Sequence, residues 1–560
     1  MKLSQKFCLL SILLFSGYNL FAQSKITGHL TNSISITQYV MAEWDIDVIA
    51  TFENPYLQEE IVVNMLLTSP SGKTLVLPCY YESISKNNKS LWKARFLPQE
   101  NGRYSYRFEL KKDGKIYGSA ANLFSAKPSD KKGIMHKNDL WTFKFDNGLL
   151  YRGLGENICW ESRDNDDSKF FKELHEDKKY NYEQMLPKLA NNGGDYYRTW
   201  ICSWNLPLDW KGDFNNSRYK NSDEYFNPSA VQKLDRLVNL SDSLGLYTML
   251  TLGAGSLDGG NGRFPVSAAD FFINPKAKAQ YKNRLRFIVA RWGYSPSIGA
   301  WEFFNEIDNI QFRNKDNPIE AAHIVQWHAE MSAYLSELDP YKHLITTSIS
   351  HRDLEGLNSL KHIDFNQKHI YKNNLALPTT IVKYSEDFKK PYVIGEYGYE
   401  YDWQKNFNDF AAEMDSDFKR GLWYGLFSPT PVLPLSWWWE YFDNRGTDKY
   451  LSNVRKVLDE MMLSGHGSFK SIKVSTQTPE VEVYAVKCGA KTFVYVYNAS
   501  NVNTKPIIVI DGPDTDFSRG TKMYSCELGA WFDLKSTGSN RKNTLDGFQL
   551  EAKNDVIFVF

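Results

Sequence analysis

Two short runs of this sequence carry carboxylates where an apolar stretch ends: Trp301-Glu302-Phe303-Phe304-Asn305-Glu306 and Tyr392-Val393-Ile394-Gly395-Glu396-Tyr397-Gly398. An ionised group at the end of an apolar strand needs explaining, because burying a charge without a partner is costly. Two carboxyl groups facing one pocket suit cleavage of a glycosidic bond. One donates a proton to the leaving oxygen and the other meets the oxocarbenium-like carbon. The bland alternative is that each Glu only pairs with a basic side chain at a strand end.

Together, in this order, the two runs resemble the motifs of glycoside hydrolase clan A, the retaining superfamily that includes family 5 cellulases and mannanases. In that clan an Asn-Glu pair ends the fourth barrel strand and supplies the acid/base, here Asn305-Glu306. A Gly-Glu-(aromatic)-Gly pattern ends the seventh and supplies the nucleophile, here Glu396. The resemblance extends to Arg198 in Tyr196-Tyr197-Arg198-Thr199-Trp200, where the clan places an Arg near the nucleophile. A guanidinium there would keep Glu396 ionised, and the Glu396 charge would then raise the pKa of Glu306. His369 and Tyr371 match a substrate-binding His and a nucleophile-contacting Tyr, and Asn305 is expected on the sugar 2-OH. In Ser436-Trp437-Trp438-Trp439-Glu440, alternation along a strand puts Trp437 and Trp439 on one side and Trp438 on the other. The clan keeps a Trp here under the reacting sugar; Trp437 is favoured, Trp439 next. Trp160, Trp200 and Trp204 are further stacking candidates or core.

These residues need a scaffold of parallel strands. From about residue 140 the pattern alternates strand and helix, with candidate strands at Tyr151–Gly155, Tyr196–Ile201, Leu246–Leu252, Gly299–Phe304, His343–Ile349, Phe365–Ile370, Tyr392–Gly395 and Leu433–Trp439. Asn-Pro pairs at Asn227-Pro228, Asn274-Pro275 and Asn317-Pro318 read as helix starts, Asn as N-cap and Pro in the first turn. Eight strand–helix units imply an α/β fold, a (β/α)8 TIM barrel over 133–465, with the active site at the C-terminal strand ends. Before it, 24–130 reads as short strands (Ile34–Tyr39, Ile46–Phe52, Ile61–Thr68, Tyr104–Leu110) between turn signals, an N-terminal β-sandwich. Leu91–Pro98 and Asn101–Tyr106 resemble a β-sandwich module of unknown function that precedes barrels in bacterial polysaccharide-degrading enzymes. After it, 466–560 reads as a C-terminal β-sandwich, and Gly529-Ala530-Trp531-Phe532-Asp533 resembles the domain that trails such barrels.

Lys+Arg and Asp+Glu are both 66, which gives no basic surface for nucleic acid or an anionic membrane. Residues 1–22, with Lys2 and Lys6 before the apolar Phe7–Phe15, read as a signal peptide, too short to span a bilayer, so the expected location is secreted or periplasmic without membrane insertion. Removing Cys8 leaves five cysteines; Cys488 and Cys526 could pair, but buried free thiols are the default. No cofactor and no metal are implied, since neither HExxH nor a Cys/His cluster occurs. The sequence thus points to a retaining glycoside hydrolase cleaving β-glycosidic bonds of a poly- or oligosaccharide, of β-glucan or β-mannan type. The alternatives are a galactan or pectic side chain as substrate, or a noncatalytic glycan-binding protein on a degenerate barrel. Loop Gly253–Phe264 and segment Asp209–Tyr225 are expected to shape the cleft.

Overall fold

The computed structural model describes residues 24–33, 35–84, 89–257, 263–511, 521–534 and 543–560. The leader reading on residues 1–22 lies outside them.

At the centre, parallel strands Gly155–Asn157, Tyr196–Trp200, Tyr247–Thr251, Ile298–Glu302 and Ile345–Thr346 pair in sequence order. The chain continues through Ser348–Ile349 to strands Asn366–Tyr371 and Tyr392–Gly398. Residues 431–437 then bond to both neighbours. Leu435 N donates to Ile394 O and Trp437 N to Tyr397 O on one side, while Leu433 N donates to Gly153 O and Asn157 N to Ser436 O on the other. Backbone hydrogen bonds therefore return to the first strand, and the sheet has no free edge there. The approach of the first two strands requires glycine at 155, because a Cβ there would lie 1.6 Å from Tyr196 O.

Helices Tyr182–Asn191, Pro228–Leu244, Pro275–Trp292, Ala321–Leu338, Ala376–Phe388 and Ala411–Leu426 connect the strands. Asn227 and Asn274 cap their helices as expected, each accepting from the backbone N–H two residues on. Asn317-Pro318 does not: its N–H closes a turn onto Asn314 O, and the helix starts at Ala321 after Glu320. Between the fifth and sixth strands only a 3-10 turn, Leu357–Ser359, replaces the expected helix.

Two strand assignments shift. Leu150–Tyr151 belongs to a small antiparallel sheet with Met135–Lys137 and Phe143–Phe145. Its Met135, Phe143, Phe145 and Tyr151 pack with Tyr196, Tyr247, Met249, Phe365 and Val393 from inside the ring, filling the end opposite the carboxylates. Apolar residues read as the first strand are thus spent on this plug. The eighth segment stops at Trp437: Trp438 turns left-handed (φ 64) and Trp439 opens helix Trp439–Arg445.

Ahead of the ring, two antiparallel sheets stack their apolar faces. One runs Lys25–Thr31, Ala42–Ile49, Lys89–Phe96, Tyr80–Ile84, and the other is built around Val62–Thr68 and Gly102–Lys112. Trp44 meets Tyr106 and Phe96 meets Tyr104 across the gap, both at 5.6 Å between ring centres. Ile34–Tyr39 is not a strand among the described residues; Thr37 makes a single bridge and Tyr39 turns left-handed (φ 57). After the ring, a six-stranded and a three-stranded antiparallel sheet share a core of Val494, Val496, Ile508, Leu545 and Phe558.

Both flanks are fastened to the elements around the ring, helix Leu451–Gly465 among them. Arg95 Nη1 donates to Arg291 O at 3.1 Å, and Leu97 N to the Tyr341 hydroxyl at 2.8 Å. Asn453 Nδ2 donates to Cys526 O and Lys456 Nζ to Gly529 O. In the Gly529–Asp533 fragment, Trp531 packs on Tyr524 and Phe532 is exposed. The five cysteines among the described residues are free, and Cys488 does not pair with Cys526.

Candidate active site

Arg198 lies at the centre of the second strand with no exposed surface. An arginine there is tolerable only if each donor finds an acceptor, and the neighbouring strands supply them. Its Nε and Nη2 form a fork on Glu302 at 2.7 and 3.0 Å. Nη2 also donates to Asn305 Oδ1 at 2.8 Å, and Nη1 to Glu396 Oε1 at 2.7 Å and Asn157 Oδ1 at 3.2 Å. Asn157 in turn donates to the carbonyls of Gly395, Leu435 and Ser436, tying the first, seventh and eighth segments together. Thr251 hydroxyl donates to Glu302. One cation thus holds two buried carboxylates and the Asn of the Asn305-Glu306 pair.

The two expected glutamates meet across this centre. Glu396 accepts from Arg198 and from the Tyr371 hydroxyl at 2.6 Å, while His369 Nδ1 lies 3.4 Å from Oε1. Glu306 accepts from His369 Nδ1 at 2.9 Å and from Asn309 Nδ2 at 2.8 Å. The Glu306 side chain is 23% exposed and that of Glu396 5%. The register that pairs His369 with Glu396 passes through an irregularity after Lys368. Gly395 permits it: a Cβ there would sit 2.1 Å from Gln367 Oε1 and 3.1 Å from His369 Nε2. Glu306 itself is left-handed, φ 48 and ψ 58, a conformation that costs a non-glycine residue about 1–3 kcal/mol.

The charge balance in the free site is the reverse of the expected one. Burial pushes the Glu396 carboxyl above the usual carboxylate range, against the pull of His369, Arg198 and Tyr371 and with the help of the Glu306 charge. Burial also acts on Glu306, but there the His369 ring N–H and the Asn309 amide donate to the anion and prevail, so its pKa is lowered. The resemblance implies the Arg198 contact to Glu396 but not the two donors that reach Glu306.

A cleft of about 550 Å3 opens beside Glu306, lined by Trp200, Trp204, Trp210, Gly253, Phe304 and Asn305 among others. Parts of both expected cleft-shaping segments are here; residues 258–262 lie outside the described ones. Trp437 and Trp439 sit on one side, as expected, though Trp439 is helical. Their rings meet at 5.3 Å, and Trp160 packs edge-on against both. Trp438 faces away, its indole N–H donating to Glu400 O. Trp439 is nearly buried and also lines a small cavity with Glu156 and Asp443, behind the tryptophan cluster. Asn157, Thr251, Glu302, Ser348 and Asn309 were missed by sequence reasoning. Only Glu302, a charge inside a fully buried strand, gave a signal.

One donor atom each from Glu306, His369 and Glu396 lie within 4.8 Å of one another. A cation held there would compete with Arg198 for the Glu396 oxygen and meet its positive charge.

With this geometry in hand, the chain can be set beside known proteins. Residues 35–111 match the family model "Domain of unknown function (DUF5060)". Mannan endo-1,4-beta-mannosidase A of Podospora anserina is 26% identical over 226 residues, covering 35% of this chain and 58% of that protein. The enzyme of the same name from Aspergillus aculeatus is 27% identical over 169 residues, 26% of this chain and 43% of its own. The chain therefore spans about half the length of these curated relatives. A Bacteroides vulgatus protein described as a candidate glycoside hydrolase matches over 94% of this chain and 99% of its own, with a TM-score of 0.62 at 14% identity. The two share a fold. Sequence relatives and fold neighbour are thus both of the glycoside hydrolase kind that the two carboxylate motifs resemble.

Replacing Arg198 by Met tests its place at the centre. The variant leaves Glu302 and Glu396 buried without their cation, and it should lose about 3–5 kcal/mol of stability at pH 7. Protonation relieves buried carboxylates, so the deficit should shrink as pH falls towards 4. Urea unfolding at both pH values measures this; a deficit that is absent or does not change with pH contradicts it.

Proposed function

We propose that this protein is a retaining β-glycosidase acting on a β-mannan, built as a (β/α)8 barrel over 133–465 between β-sandwiches at 24–130 and 466–560. The observation that carries the reading is the pair Glu306 and Glu396, with an oxygen of each within 4.8 Å. Inverting enzymes hold their carboxyl groups about 6.5–9.5 Å apart to admit a water, and retaining ones about 5–5.5 Å. Ring closure through residues 431–437 and the paired sheets at either end support the architecture. The mannan endo-1,4-beta-mannosidases among its relatives favour a mannan over a glucan, galactan or pectic side chain. Both carboxylates, Arg198 and Tyr371 converge on one site, which argues against a degenerate, purely binding barrel.

In this mechanism Glu396 attacks the anomeric carbon, oriented by Arg198 and Tyr371. Glu306 gives its proton to the departing oxygen, then takes one from the water that releases the sugar. Asn305 has its Oδ1 on Arg198, so its amide nitrogen meets the sugar 2-OH. Trp200, Trp204 and Trp210 offer faces along the cleft, and Trp437 lies under the reacting sugar with Trp439 behind it. No step uses a metal or an organic cofactor. Residues 1–22 would direct the chain to the periplasm or outside the cell. No described helix is long and apolar enough to cross a membrane.

Reducing-sugar release from β-mannan, β-glucan, galactan and pectin should be greatest on mannan; release confined to another of them contradicts the substrate class. Glu306→Ala should still form the glycosyl-enzyme from activated aryl glycosides, giving a burst, then turn over slowly for want of a base. Glu396→Ala should abolish both steps. A burst kept by the Glu396 variant and lost by the Glu306 variant would reverse the two roles. The Asn309 amide keeps the Glu306 pKa down. Glu306 titrates below Glu396 in the free site, so the acid limb of kcat/KM reports Glu306, and Asn309→Ala should move that limb to higher pH. A limb that stays or moves down contradicts the assignment.

A further inference from the structure

Glu306 does not set its own position. It is left-handed, it precedes the short helix Ile307–Gln311, and its side chain makes no cap to that helix. The constraint comes from the chain that leaves the fifth strand. Ser348 Oγ accepts from Glu306 N at 2.9 Å and donates to Phe304 O at 3.1 Å, fixing the backbone before the turn.

Two residues further on, Asp308 fixes it after the turn. Asp308 is fully buried, and its carboxylate accepts four hydrogen bonds from one tripeptide. Oδ1 accepts from Ser350 N at 2.7 Å, and Oδ2 from His351 N at 2.8 Å, Arg352 N at 3.0 Å and Ser350 Oγ at 3.3 Å. Arg352 Nη2 returns to Asp308 O at 2.9 Å, with its guanidinium 4.1 Å above the Phe312 ring. A carboxylate with four donors is held far more firmly than one with a single partner. The left-handed Glu306 is thus gripped from both sides by residues 348–352.

We propose that Asp308 is a positioning residue for the acid/base, locking the first turn after the fourth strand to residues 350–352 and so setting the direction of the Glu306 carboxyl. The inference rests on the reading of Glu306 as acid/base. Asp308 touches neither Glu306 nor the cleft, so its effect runs only through geometry.

Asp308→Asn keeps the volume but turns one acceptor oxygen into an NH2 that faces backbone N–H donors. A displaced acid matters where the leaving group needs a proton and little where it does not. On phenyl β-mannobioside kcat/KM should therefore fall about 100-fold, the usual cost of a misplacement of about 1 Å. The burst rate on 2,4-dinitrophenyl β-mannobioside should change by less than about threefold, since that step takes no general-acid help. Equal losses on both substrates, or none on either, overturn the clamp. Should Asp308→Asn fail to fold by circular dichroism, Ser348→Ala and Arg352→Ala make the same comparison from the other side of the grip. Glu306→Ala runs alongside: if it is equally slow on both substrates, the acid assignment fails. If it discriminates and the Asp308 variant does not, the clamp alone fails.

Discussion

A single buried cation organises the active centre. Arg198 has no access to water, so its charge is tolerable only while Glu302, Glu396, Asn305 and Asn157 stay where they accept from it. Those four acceptors come from the first, fourth and seventh strands and the turn after the fourth. A shift of any one strand by a residue would face its acceptor away, since side chains alternate. The same guanidinium that bonds to Glu302 and Glu396 therefore also fixes the register around the ring. The fixed orientation of Glu396 is then a consequence of folding and needs no separate device.

The rest of the molecule supports that centre from outside. The small sheet that includes Phe143–Phe145 fills the ring's opposite end with aromatic side chains, Phe145 against Tyr247 and Phe143 against Phe365. It thereby leaves the carboxylate end as the open one. The flanking sheets grip the outer helices through backbone acceptors, as at Arg291 and Cys526, and none of their described residues bonds to Arg198.

What the sequence revealed and what it concealed divide along the same physical line. Glu306 and Glu396 could be read because each follows an apolar strand, and strand ends are visible in one dimension; Arg198, His369 and Tyr371 could be read only through the resemblance to the clan's strand positions. Asn157, Thr251 and Ser348 could not, because their roles depend on inter-strand register, which neutral side chains do not advertise. The alternation argument put Trp437 and Trp439 on one side correctly, but for a geometry that ends at Trp438, where a left-handed residue turns the chain into a helix. Tyr151 was apolar enough for a barrel strand and was used instead in the plug. The charge balance between the two glutamates was misjudged for a related reason. The Arg198 contact was inferred, whereas the donors from His369 and Asn309 depend on a turn whose shape is set by residues 348–352.

The proposed mechanism requires Glu396 to bond to the sugar. A 2-deoxy-2-fluoro-β-mannosyl fluoride forms the glycosyl-enzyme with a good leaving group and destabilises the second transition state, so the intermediate accumulates. Mass spectrometry of the peptides after brief incubation should find the fluorosugar on Glu396 alone. A label on Glu306 or on a third residue, or inactivation without any label, contradicts the account.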